Sequence, residues 1–97
     1  MFVIVWTYEV AANCQAAFES AYGPHGSWAL LFARAPGFAG LELLHDGEGR
    51  YATLDRWRDE AAFAAFKAVH HAAYDALDAE CAALTIAEHK VGAFTLV

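Results

Sequence analysis

The chain has 97 residues and a formal net charge of −6, with 12 acidic and 6 basic residues. That length makes one domain, residues 1–97, and not two. Its basic residues, Arg34, Arg50, Arg56, Arg58, Lys67 and Lys90, are scattered, which argues against nucleic-acid and anionic-membrane partners, and no stretch approaches the ~18 apolar residues of a membrane span.

Phe2 to Val10 is rich in Val, Ile, Trp, Tyr and Thr and is expected to form a strand. It is almost continuously apolar, so both of its faces should be covered. Ala11 to Tyr22 changes to helical spacing, with Cys14, Phe18 and Tyr22 at i, i+4 and i+8 and Asn13 as the expected N-cap. The stretch YGPHGSW, Tyr22 to Trp28, interrupts the helical pattern. Gly23 can end one helix and Pro24 can start the next, which would run to Ala35 with Trp28, Leu31, Phe32 and Ala35 on one face. A second strand is expected over Phe38 to His45, then the hairpin turn Asp46 to Gly49, then a third strand over Tyr51 to Trp57. Asp59 is the expected N-cap of a helical stretch reaching Leu84. Its stripe is Phe63, Phe66, His70, Tyr74, Leu77, Cys81 and Leu84, on either one helix or two bent near His70. Thr85 to Val97 closes as a fourth strand, whose first half, with Glu88-His89-Lys90, is polar and either strand or loop.

The order is β, broken α, β, β, α, β. This is the ferredoxin-like α+β arrangement βαββαβ, a four-stranded antiparallel sheet with helices on one face. In strand one neither alternating set is polar, so a second sheet should cover the bare face, and the simplest partner is another copy of the chain. The apolar share is 59%, with 7 Phe, 4 Tyr and 3 Trp. That surplus of rings points to an interface, an apolar ligand pocket, or both. Cys14 and Cys81 read as free thiols in helical patterns. The start MFVIVWTYEV lacks a basic segment and Glu9 ends its apolar run, so it reads as a strand rather than a signal peptide, and the expected location is cytoplasmic.

The element order, YGPHGSW, the APGF start of strand two, and YATLDRWRDEAAFAAFKAVH across strand three and its helix resemble the antibiotic biosynthesis monooxygenase family. That family lies within the dimeric α+β barrel superfamily, and the resemblance spans essentially the whole chain. It implies a homodimer whose sheets pack face to face, with a cavity in each subunit between sheet and helices. Some members of the family are oxygenases that use no cofactor, neither metal nor flavin, and convert phenolic polycyclic substrates to quinones. Others cleave haem, and those typically carry an asparagine on strand one, a tryptophan in the long helix and a histidine further along it. This chain has Trp6 and Phe66 at the first two positions, and only His70 or His71 can match the third. Two departures in three count against haem cleavage.

The residues weighed for a site are His25, His70 and the rings around them. His70 lies on the apolar stripe, and an imidazole there needs a hydrogen-bond partner. It is either a satisfied core histidine or a proton acceptor in a cavity, held neutral by burial. His71 points about 100° away, with Lys67, Asp75 and Asp78, toward solvent. With Pro24 as the first helical residue, His25 would sit in the first turn near the positive end of the helix dipole, on one face with Trp28 and Phe32. Trp6 and Tyr8 share a face with Ile4 and Val10. On strand three Tyr51, Thr53, Asp55 and Trp57 share one face, opposite Leu54 and Arg56, and Asp55 and Arg56 read as an interface salt bridge. No phosphate loop, G-x-S-x-G, C-x-x-C or H-x-x-x-H occurs, so no metal site is expected. The expected site is therefore catalytic His70 and His25, with Trp6, Tyr8, Trp28, Phe32, Phe66 and Tyr74 binding an apolar or aromatic small molecule. A cofactor-independent monooxygenase is the first reading. A non-catalytic binding dimer of the same fold is the alternative.

Overall fold

The computed structural model describes residues 1–97. β-branched and aromatic residues extend the chain over β1 (Phe2–Glu9), β2 (Phe38–His45), β3 (Arg50–Trp57) and β4 (Ala87–Thr95). All pairings are antiparallel, and the sheet order is β2-β3-β1-β4. The β2–β3 turn is held by Asp46, whose carboxylate accepts from the backbone N–H of Glu48 at 2.7 Å and of Arg50 at 3.1 Å. The polar half of the fourth strand, Glu88-His89-Lys90, is in the ladder and not a loop.

Three helices cover one face of the sheet. The first, α1 (Gln15–Tyr22), follows a 3-10 turn over Ala12–Cys14. Asn13 lies inside that turn, so it does not cap the helix as expected. The second, α2 (Ser27–Phe32), is shorter than the periodicity implied. Pro24 and His25 lie in the turn before it, and Gly26 is its N-cap. Gly26 lets the chain fold back onto α1. A Cβ there would stand 2.4 Å from the Ser20 carbonyl oxygen and 2.7 Å from that of Ala21. The third, α3 (Glu60–Cys81), starts at Asp59, whose carboxylate accepts from Ala62 N–H at 2.8 Å. It is one helix with a kink at His70, where φ is −111° and ψ is 17°.

The core is aromatic. Trp57 and Phe18 have no exposed surface. Phe32, Phe38, Phe63 and Phe66 surround Trp57 at ring-centroid distances of 5.2–5.4 Å. Towards the other end of the sheet, Phe18 packs on Tyr8, Tyr22 and Tyr51 at 4.2–5.1 Å. The outer face of the sheet carries no helix. Val3, Val5 and Leu54 are half-buried there, while Leu44 and Phe94 are 54% and 52% exposed. Arg56 lies on this outer face and pairs with Glu42 at 2.6 Å. The expected partnership of Asp55 with Arg56 is therefore overturned: successive strand residues point to opposite faces, and Asp55 turns inward.

Candidate functional site

Between the two aromatic groups a cavity of about 40 Å³ remains, walled by Trp6, Tyr8, Tyr22, Trp28, Phe32, Leu41, Thr53, Asp55, Tyr74, Asp78 and Glu88. A neighbouring chamber of about 270 Å³ shares Trp6, Phe32, Asp55 and Tyr74 with it, and adds Ile4, Phe63, Lys67 and Lys90. Together they reach the size of a small-ligand site, ~300 Å³. β1 and β3 supply the floor and α2 and α3 the roof. Trp28 joins the parts, with its ring 5.8 Å from Phe32 and 5.0 Å from Tyr74.

Asp55 is the unusual group. It is 8% exposed and lines both chambers, yet no hydrogen bond or ion pair engages its carboxylate. Loss of hydration pushes its pKa up from 3.8 to about 7. The phenols behave differently. Burial raises Tyr74 to about 12, and raises Tyr8 and Tyr22 well above the ordinary tyrosine value, so all three stay neutral near pH 7. Tyr8 and Thr53 hold each other through their hydroxyls, 3.1 Å apart. The buried Trp28 Nε1, beside the Tyr22 hydroxyl and Cys81 thiol, makes no hydrogen bond. The cavity thus offers one carboxylate able to change its charge near neutrality, among rings and neutral hydroxyls.

The antibiotic biosynthesis monooxygenase family model matches residues 1–75. The chain belongs to this family. SnoaB, a cofactor-independent oxygenase from Streptomyces nogalater solved as an asparagine-to-alanine variant, superposes with a TM-score of 0.78 at 27% identity, over 98% of this chain and 91% of that one. A Nitrosomonas europaea protein assigned to the same family matches with a TM-score of 0.71 at 17% identity, over 100% of this chain and 99% of that one. MhuD, solved as an arginine-to-serine variant with two manganese protoporphyrin IX molecules bound per active site, shares the fold with a TM-score of 0.64 at 23% identity, over 100% of this chain and 95% of that one. No curated protein resembles the sequence closely enough to count as a match.

Within this monooxygenase fold, five of the expected site residues meet at the cavity: Trp6, Tyr8, Trp28, Phe32 and Tyr74. Phe66 does not line it. It is buried behind Phe32, at a centroid distance of 5.3 Å. Neither histidine lines either chamber. His25 is exposed in the turn ahead of α2, not in a helical first turn, because the helix starts three residues after Pro24. His70 is half-buried at the α3 kink and stacks on Phe66 at 5.4 Å. Six lining residues were not expected there, Tyr22, Leu41, Thr53, Asp78, Glu88 and Asp55, and the one with an unusual environment is Asp55. Its signal was its place on one strand face with Tyr51, Thr53 and Trp57, all of which are buried here.

Proposed function

We propose that the protein is a cofactor-independent monooxygenase that oxidises an aromatic or phenolic small molecule held between sheet and helices. The observation that carries this reading is the partnerless Asp55 carboxylate in a cavity walled by rings. A carboxylate whose pKa sits near the working pH is suited to take a proton from carbon. In an anthrone-type substrate, Asp55 removes a proton from the ring CH2, and the resonance-stabilised carbanion reacts with dioxygen. The peroxide anion takes back the proton held by Asp55, and the hydroperoxide then loses one water, its C–H proton leaving with the hydroxide of the broken O–O bond, to give a ketone. Both oxygen atoms are accounted for, one in the quinone and one in water. Asp55 replaces His25 and His70 as the base in this scheme, because only it reaches the cavity. Rings at Trp6, Trp28, Phe32 and Tyr74 stack the substrate, and neutral phenols donate to its oxygens.

The same cavity disfavours haem cleavage, since no histidine lines it to ligate an iron. The bare, apolar outer face of the sheet supports a homodimer formed sheet to sheet. Oxygen uptake with an anthrone-type substrate tests the enzyme reading. Asp55→Asn is expected to lower kcat by about 10²–10⁴-fold, with His25→Ala and His70→Ala near wild type. Undiminished uptake by Asp55→Asn would sink the assignment. Trp fluorescence changes on ligand addition with no uptake in wild type would favour the binding dimer instead.

A further inference from the structure

The chain has two lysines, and both line the larger chamber. Neither is paired. The ion pairs of the protein join Arg56 to Glu42 and Arg58 to Asp59, so Lys67 and Lys90 stand free in a molecule with 12 carboxylate residues. Lys67 is held in place by Tyr74, with Nζ 3.5 Å from the ring centroid.

Lys90 owes its position to a defect in the sheet. Val5 pairs with Gly92 and Trp6 with Lys90, so Val91 is an extra residue in β4. Strand side chains alternate between faces. Were Val91 in the ladder opposite Trp6, Lys90 would pair with Thr7 and point to the outer face of the sheet. With Val91 bulged out, Lys90 stands beside Trp6 on the helix side, and Gly92 takes a positive φ of 157° next to the bulge. One residue in the edge strand therefore turns a cation into the cavity.

We infer that the substrate carries an acidic substituent, a carboxylate, which Lys67 and Lys90 bind in the larger chamber. This rests on the proposed oxidation of an aromatic substrate and adds its orientation. Asp78 and Glu88 line the smaller chamber, so an anion is repelled from that end and drawn to the lysines. Lys90 lies two strands from Asp55 and is offset along the sheet, which separates their Cα atoms by roughly 12 Å. A fused-ring acid spans that gap with its reactive carbon at Asp55 and its carboxylate at the lysines.

The test uses anthrone-2-carboxylic acid and its methyl ester, with binding read by Trp fluorescence and oxidation by oxygen uptake. The acid is expected to bind about tenfold more tightly than the ester at low salt, with the difference shrinking at high ionic strength. Lys67→Gln and Lys90→Gln should each weaken the acid by roughly threefold or more and leave the ester unchanged, and the double variant should bind both alike. Lys90→Arg should keep the preference. Equal binding of acid and ester by wild type, or a preference that survives the double variant, overturns the inference. If the ester is oxidised but the acid is not preferred, the oxygenase reading stands and the carboxylate site falls. If the acid is preferred through the lysines but neither compound consumes oxygen, the carboxylate site stands and the oxygenase reading falls. Binding of neither compound overturns the carboxylate site.

Discussion

The proposed chemistry rests on one side chain, Asp55. The unfolded carboxyl titrates at its ordinary value of 3.8, and the folded one at about 7. The folded state therefore holds the proton more tightly. Its contribution to stability is greatest below pH 4 and is lost as pH rises through about 7. Asp55→Asn should thus leave stability near wild type at pH 4 and raise it at pH 8, with roughly 4 kcal/mol as the ceiling. Thermal melts of both proteins across that range check the sign. Activity should run the opposite way, because the base works only as the anion. kcat/KM is expected to rise with pH through about 7. A site that costs stability where it is active is a common mark of function. Its inward direction followed from strand parity, which the sequence shows. Its lack of a partner did not, since that depends on every element packed above it.

Among the elements, β4 and α3 differ in how openly they declare themselves. The start of α3 was legible, because an N-cap is a local interaction over three residues. Asp59→Ala should cost about 1 kcal/mol, read by denaturant unfolding. The kink at His70 was legible only as one of two alternatives, and nothing local, neither proline nor glycine, marks it. The bulge in β4 was not legible at all. It exists only relative to the pairing with β1, and a run such as Glu88 to Gly92 has no fixed face until that partner is present. Deleting Val91 should restore regular alternation with Gly92 still opposite Val5 and Lys90 still opposite Trp6, because Val91 is the residue left out of the ladder. The expected result is a folded protein by circular dichroism that still distinguishes anthrone-2-carboxylic acid from its ester. The same dependence on partners explains α2, whose start moved to Ser27. Gly26 is needed where the backbone crosses the last carbonyls of α1, a constraint that helical periodicity cannot register.

For the molecule as a whole, the sheet divides two environments. The helix side holds the core and the cavity, and the outer side holds Val3, Val5, Leu44, Leu54 and Phe94 around a single Arg56–Glu42 pair. An apolar face of this kind favours burial against another surface. The homodimer reading predicts a two-chain mass by light scattering for wild type. Leu54→Asp places a charge at the centre of that face, away from the cavity, and should shift the protein to a single-chain mass. A wild-type protein that stays monomeric at all concentrations would remove the sheet-to-sheet homodimer.

The order of strands and helices, the hairpin at Asp46 to Gly49, the cap at Asp59 and the apolar stripe of α3 were determined by the sequence itself. Each arises from interactions within a few residues: alternation along a strand, i, i+4 spacing on a helix, a carboxylate three residues from its donor. Family membership was legible for the same reason, because it rests on that pattern. The tertiary structure alone decided which inward residues meet an empty space and which are packed solid. Phe66 and Trp28 share the same kind of position in the sequence, yet one is core and the other wall. The two histidines that looked chemical stand outside the cavity, while Asp55, Lys67 and Lys90 converge on it from β3, α3 and β4. Such convergence is set by long-range packing and by one inserted residue in an edge strand, and neither leaves a periodic trace.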